Sequence, residues 1–190
     1  MCRQEDFSVK AALLDHGTIC LGFSLEEPFH VNIIKKAVTD LGLEVGPWLS
    51  RFKQALYAGR DGGEMFRAGS NREGEGGRTF KLGDLAARIA RITAGQKIAY
   101  VMDAAYSREN VDRMIALCEG ADHLFIEGGF LERDREVAAR KHHLTAHQAG
   151  TIAGLAGAKR LTISHFSPRY DGAGHLLRNE ADQALEAARR

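Results

Sequence analysis

Three short apolar runs, Gln96–Asp103, His123–Ile126 and Leu161–Ser164, alternate with segments of helical spacing, and their ends carry Asp103, Glu127 and His165. Runs of this length, rich in branched residues and cut off by polar ones, read as buried strands. Between them, Asn110–Cys118 places Val111, Met114, Ile115 and Cys118 on one helical face, and Asp134–Lys141 and Thr145–Ala156 are also predicted helices. Strands alternating with helices imply an α/β layered architecture. Functional groups in such proteins gather at strand tips, which makes the closing residues of these runs the first place to look for chemistry. A terminal helix is predicted over Asn179–Arg190, where Ala and Leu supply propensity.

The first half of the chain is less regular. Phe7–Leu25 reads as two strands around an Asp15-His16-Gly17 turn, the second carrying the apolar run Ile19–Phe23. Val31, Ile34, Ala37, Val38 and Leu41 have helical spacing, so a helix is predicted over Val31–Leu41 with Gly42 as its stop. Gly46-Pro47-Trp48 breaks the chain before a second short helix, Leu49–Ala58. Arg60–Thr79 is rich in Gly, Arg and Glu and is expected to be an exposed, mobile loop. With 190 residues, one domain with a sizeable core is expected. The net charge of +1 excludes a global basic field for non-specific nucleic-acid binding, but not a local basic groove. Cys2, Cys20 and Cys118 form no Cys-x-x-Cys pair, and their odd number suits a reducing compartment. No run reaches the length of a membrane span and no signal-peptide core opens the chain, so a cytoplasmic protein is expected.

His16, Asp103 and His165 are candidate metal ligands, and a His/Asp set of this kind suits zinc or manganese if the strand tips converge. A carboxylate such as Asp103 can bridge two cations, as phosphodiester hydrolysis at a two-metal site requires. Ser167 and Arg169, beside His165, carry phosphate-binding groups. Each residue also has a plainer role open to it. His16 can be a turn residue, Asp103 a helix cap, Glu127 a solvated loop residue, and His142, His143 and His147 the cover of an exposed helix start. At most one of those three histidines is expected to be chemical, and His30, His123 and His175 are read as structural.

Taken together, the motifs resemble ribonuclease Z, the tRNA 3′-end-processing endonuclease of the metallo-β-lactamase superfamily. The resemblance runs from about Val9 to Tyr170. Leu14-Asp15-His16-Gly17 through Gly22-Phe23 to Glu26 resembles the segment in which a metal-binding histidine precedes an acidic residue. Leu41-Gly42-Leu43 with Gly46-Pro47 resembles part of the arm that grips tRNA, and Tyr100-Val101-Met102-Asp103 the strand of the bridging aspartate. Phe125-Ile126-Glu127-Gly128-Gly129-Phe130 matches the loop usually written His-Glu-Ala-Thr, and His143-Leu144-Thr145 the His-Ser-Thr loop. His165-Phe166-Ser167-Pro168-Arg169-Tyr170 matches the last metal-ligand motif.

The resemblance implies the C-terminal part of a metallo-β-lactamase-like αββα sandwich: one domain over 1–190, with 26–60 as the tRNA arm and 60–79 as the loop. It implies His16, Asp103 and His165 as ligands of a two-metal site holding zinc, manganese or iron. It further implies His143 as proton donor, with Glu127 holding its imidazole and raising its pKa. Ser167, Arg169 and Thr145 would touch the phosphate or substrate, and Gly46 and Pro47 the tRNA. The expected activity is metal-dependent endonucleolytic hydrolysis at the 3′ end of precursor tRNA, in a chain that forms a homodimer.

The family's His-x-His-x-Asp-His motif is absent, Met102-Asp103-Ala104 replaces Gly-Asp-Thr, and Gly128-Gly129 replaces Ala-Thr. An N-terminal metal-binding half, or a partner chain supplying it, is therefore expected to be missing. Two other functions fit the residues: a related hydrolase of a small phosphodiester or ester, and a non-catalytic module that binds RNA or a partner after losing its metal site.

Overall fold

The computed structural model describes residues 2–3, 7–69 and 77–189, and the chain divides into two compact units where one domain was expected. The first joins Ser8–Glu26 to Gln96–Arg190, and the second is built on Glu27–Gly95.

In the first unit, β1 (Cys2–Arg3), β2 (Ser8–Asp15) and β3 (Ile19–Glu26) form an antiparallel run, continued by β8 (Lys97–Val101), β9 (His123–Glu127) and β10 (Leu161–Ser164). β3 pairs antiparallel with β8, whereas β8, β9 and β10 are mutually parallel. The parallel pairs need crossovers, and these are helical. One is α4 (Arg108–Cys118); the other contains α5 (Arg135–Arg140) and α6 (Ala146–Leu155). α7 (Gly174–Ala188) closes the chain and starts earlier than the predicted Asn179. The layered α/β class is thus the observed one.

Local chemistry explains why these segments form. Ser107 caps α4, its Oγ accepting from the Asn110 amide at 3.2 Å. Thr145 and Gln148 make a reciprocal capping box at the start of α6. One sheet face packs on α4, α6 and α7 around Val101, Met114, Leu124, Ile126, Ile152 and Leu177, all fully buried. Each such side chain contributes about 1.5–3 kcal/mol relative to exposure. Cys118 lies in this core, and burial pushes its thiol up to about 12. Alkylation with iodoacetamide at pH 8, read by mass spectrometry, is therefore expected to label Cys118 only after denaturation. Labelling in the folded chain would show that this core opens.

The second unit has its own core, including Val38, Trp48, Phe52, Leu85 and Ile89. Its elements are β4 (Phe29–Ile33), α1 (Lys35–Asp40), α2 (Trp48–Tyr57), β5 (Met65–Ala68), β6 (Arg78–Lys81), α3 (Leu82–Ile89) and β7 (Ala90–Ala94). The predicted Val31–Leu41 helix is corrected here. Val31 pairs with Ile92 across β4 and β7, and the chain turns helical only at Lys35, ending before Gly42 at φ +69°. The loop expected over 60–79 is also corrected, since β5 and β6 pair antiparallel within it. Residues 70–76 of that span lie outside the described residues. Pro47 caps α2, and the Gly46 carbonyl accepts from the Leu49 amide at 3.1 Å. Among the described residues, no helix is long and apolar enough to cross a membrane.

Candidate active site

Strand polarity brings the predicted tips together. β8, β9 and β10 run parallel, so Asp103, Glu127 and His165 emerge at one end of the sheet. β3 runs against β8, which returns the Asp15-His16-Gly17 turn to that same end. His143 arrives from the loop between α5 and α6. Backbone bonds hold the loops: the Ala146 amide donates to Phe130 at 2.7 Å, Ser167 to Gly129 at 3.0 Å and Gly128 to Ser164 at 3.0 Å. A Cβ on Gly129 would stand 2.9 Å from the His165 carbonyl oxygen, so close packing accounts for glycine there. Asp103, His142 and His165 are the non-glycine residues with positive φ among the described ones, at 55°, 59° and 61°. Such conformations cost roughly 1–3 kcal/mol each and gather where a surrounding structure holds functional groups in place.

The side chains form a continuous network. His143 Nδ1 lies 2.6 Å from Glu127 Oε2, while Glu127 Oε1 accepts from the Ala104 amide at 2.6 Å. His165 Nδ1 lies 3.2 Å from Asp103 Oδ1 and 3.9 Å from Glu127 Oε2. The His143 ring centroid is 4.6 Å from that of His16 and 5.1 Å from that of His165. His16 Nδ1 donates to the His142 carbonyl at 2.8 Å. A carbonyl can only accept, so Nδ1 carries a hydrogen, and Nε2 is the nitrogen left to offer a lone pair to a cation. That is the usual arrangement of a metal-ligating imidazole.

These donors fit a divalent transition cation. Donor atoms of His16, Asp103 and His143 lie within 4.8 Å of one another, as do those of Glu127, His143 and His165. Imidazole nitrogens with carboxylate oxygens suit zinc, manganese or iron.

Glu127 is wholly buried, and desolvation pushes its carboxyl up to about 7 against the pull of the Ala104 amide and the nearby imidazoles. Burial lowers the His143 pKa, and His16 beside it adds to the effect. The expected rise in the His143 pKa is therefore corrected: desolvation and the His16 charge outweigh the raising pull of Asp103, and Glu127 itself resists ionisation in the same pocket.

A stability consequence follows for Glu127. Between its unfolded value near 4.5 and about 7, the folded chain holds a proton that the unfolded chain releases, so stability falls as pH rises through that window. In Glu127→Gln the amide oxygen accepts from Ala104 and the amide nitrogen donates to His143. In EDTA the variant should exceed the parent in stability by about 2–3 kcal/mol at pH 8, with the advantage largely gone at pH 5. Urea unfolding at both pH values checks this, and a pH-independent difference would exclude carboxyl ionisation as its source.

Other predicted residues are engaged within the chain. Arg169 Nη1 donates to Asp134 Oδ1 at 2.8 Å, and the Tyr170 hydroxyl donates to Asp134 Oδ2. Ser167 caps the turn at Pro168–Tyr170, and Thr145 Oγ1 donates to Glu132 Oε2 at 2.5 Å while capping α6. His30 bonds Glu27 at 2.8 Å and His123 bonds Thr162 at 2.8 Å.

Sequence reasoning missed the supporting groups. Buried Asn110 accepts from the Asp15 amide at 3.0 Å and donates to the Asp15 and Ala105 carbonyls at 2.8 Å, tying the His16 turn to the Asp103 loop. Cys20 Sγ donates to the Asp103 carbonyl at 2.7 Å. An asparagine within the apolar face of a predicted helix was the available signal for Asn110; Cys20 offered none.

No protein-family model matches the chain. It is 35% identical over 182 residues to a protein named ribonuclease Z from Deinococcus radiodurans, covering 96% of this chain and 51% of that protein. With a ribonuclease Z from Thermobifida fusca it shares 35% identity over 167 residues, covering 88% of this chain and 45% of the relative. The chain resembles the C-terminal half of ribonuclease Z and spans about half the length of these curated relatives. A solved structure similar to it is the metallo-β-lactamase fold protein YhfI from Bacillus subtilis, at 16% identity and a TM-score of 0.49, covering 97% of this chain and 46% of that one.

Proposed function

We propose that this chain forms the C-terminal part of a metal-dependent phosphodiesterase of the ribonuclease Z type, which hydrolyses precursor tRNA at its 3′ end. The observation that carries the reading is the Glu127–His143 pair, 2.6 Å apart, set beside His16, Asp103 and His165 at one end of one sheet. His16, Asp103 and His165 would hold zinc, manganese or iron. When bound, such a cation polarises the phosphoryl oxygens and offsets the charge that develops on them.

The chain's own residues account for the proton. Glu127 is fixed by the Ala104 amide on one oxygen and holds His143 Nδ1 with the other. That leaves His143 Nε2 as the nitrogen that faces substrate. Its lowered pKa makes the imidazolium a stronger acid, suited to protonating a departing 3′-oxygen. Glu127 is out of water, while His143 stays partly exposed where a substrate would reach it. Residues 26–60, with Gly46 and Pro47, are proposed as the arm that grips tRNA, supported by the motif and by the separate core of the Glu27–Gly95 unit, in which Trp48 and Phe52 pack with Leu82, Leu85 and Ile89.

The test is cleavage of a 3′-extended tRNA by this chain together with the unmatched half of the Deinococcus radiodurans relative, in the presence of zinc or manganese. Release of the 3′ trailer, stopped by EDTA, is the expected result. Turnover of a chromogenic phosphodiester with intact tRNA would move the assignment to a small substrate. Metal-independent RNA binding without turnover would move it to a non-catalytic module.

A further inference from the structure

His16 and Asp103 reach the candidate site on separate segments, and the sheet does not set their spacing. The ladder between β3 and β8 ends at the Phe23–Tyr100 pair. Beyond it, among the described residues, Ile19–Gly22 have no partner on β8, so the hairpin tip that carries His16 runs on past the ladder. Asp103 likewise follows the last residue of β8, Val101. Other bonds span the gap. The Ala105 amide donates to the Asp15 carbonyl at 2.8 Å, and Cys20 Sγ donates to the Asp103 carbonyl at 2.7 Å. Asn110 bonds to both segments from α4. It stands in the first turn of that helix, where its amide donates to the Ser107 cap, so its side chain starts from a fixed backbone.

We infer that Asn110 is a positioning residue, which sets the spacing of His16 and Asp103 and thereby the affinity of the site for a divalent transition cation; the cation itself rests on the ribonuclease Z reading. The side chain is 1% exposed, and both of its amide hydrogens are used. Oδ1 accepts from the Asp15 amide at 3.0 Å, and Nδ2 donates to the Asp15 and Ala105 carbonyls at 2.8 Å each. A carboxylate in its place has no hydrogen to give, and leucine neither gives nor accepts. Without Asn110, the Asp15 amide and the Ala105 carbonyl lose this partner, and the two segments are no longer tied at a fixed distance. The residues beside them are the candidate ligands: donor atoms of His16, Asp103 and His143 lie within 4.8 Å of one another. Donors already assembled lose little freedom when a cation arrives, whereas donors on untied segments must be ordered by it. Docking of α4 does not depend on this residue. Met114, Leu117 and Cys118 pack the helix into the core, and Arg113 Nη1 donates to the Leu13 carbonyl at 2.9 Å.

The experiment titrates the 190-residue chain with zinc by calorimetry, comparing the parent with Asn110→Asp and Asn110→Leu. His16→Ala gives the uptake that belongs to other histidines. Leu185→Ala, a core truncation near the C-terminal end of α7, serves as the control for destabilisation alone. Both Asn110 variants should bind zinc roughly 10- to 100-fold more weakly than the parent, the usual effect of removing a group that orients ligands. The control should melt earlier with its zinc affinity unchanged. A second measurement needs no variant. Coupling is reciprocal, so a tie that raises cation affinity is itself tightened by the cation. In the parent, saturating zinc should slow hydrogen exchange at the Asn110 side-chain amide and the Ala105 amide by a factor of the same order, read by nuclear magnetic resonance.

Equal zinc affinity in the parent and the Asn110 variants would overturn the inference, as would a loss that Leu185→Ala reproduces. Exchange rates that zinc leaves unchanged overturn it even where the Asn110 variants fail to fold. A parent that takes up no more zinc than His16→Ala also overturns it, together with the role of His16 as a ligand. No RNA enters these measurements. Failure to cleave tRNA, with the dependence on Asn110 intact, would remove the proposed substrate and leave the positioning role standing.

Discussion

Replacing His143 with alanine is expected to lower trailer cleavage by the assembled enzyme roughly 10²- to 10⁴-fold, the usual contribution of a positioned general acid. Its metal content should stay unchanged. The two readouts separate two roles, because His143 belongs to both groups of convergent donors, His16–Asp103–His143 and Glu127–His143–His165. Its Nδ1 is engaged by Glu127 at 2.6 Å, and His165 Nδ1 lies 3.2 Å from Asp103 Oδ1, while His16, Asp103 and His165 are the residues proposed to hold the cation. If the variant loses metal in proportion to activity, His143 is a ligand and the proton donor lies elsewhere. Retention of both would exclude His143 from the chemistry.

Gly150→Ala is expected to destabilise the chain by about 2–3 kcal/mol, the scale of overpacking in a well-filled core. Helix propensity taken alone has the opposite sign, because alanine is favoured over glycine by about 1 kcal/mol in a helix interior. Geometry decides between them. A Cβ at Gly150 would overlap the Ala181 carbonyl of α7 and stand 2.9 Å from the Ala184 Cβ. One turn on, a Cβ at Gly154 would stand 2.5 Å from the Ala188 Cβ. The two glycines let α6 approach α7 at backbone distance, and α6 in turn holds the loop that presents His143. Thermal unfolding should shift down by roughly 4–12 °C for this loss in a domain of this size. An unchanged or raised midpoint would mean that the helices separate at little cost.

Much of the site was legible because strand tips are a local signal. An apolar run that stops at Asp103, Glu127 or His165 announces both the buried strand and the group at its end, and the helical spacing over Thr145–Ala156 places His143 just ahead of a helix. That helix start agrees with the structure because its cap, Thr145 with Gln148, is made by residues three apart. Val31 was misread for the complementary reason. Its spacing with Ile34 and Val38 is helical, but its partner is Ile92, far along the chain, and pairing with β7 overrode the local pattern. The same applies to β5 and β6, whose pairing joins residues on either side of a Gly-rich stretch that reads as loop. Arg169 beside Ser167 suggested a phosphate contact; Asp134, distant in sequence, holds that guanidinium instead.

Residue order by itself determined the alternation of strands and helices, the polar strand tips and the half-length resemblance, since periodicity and motif spacing are written locally. Tertiary structure decided which tips meet, because only the parallel pairing of β8, β9 and β10 and the return of β3 set them at one end. It also decided the protonation of Glu127. Glu127 is an ordinary carboxyl in the sequence, and only its enclosure beneath Ala104 and the imidazoles takes it out of water and pushes it up to about 7.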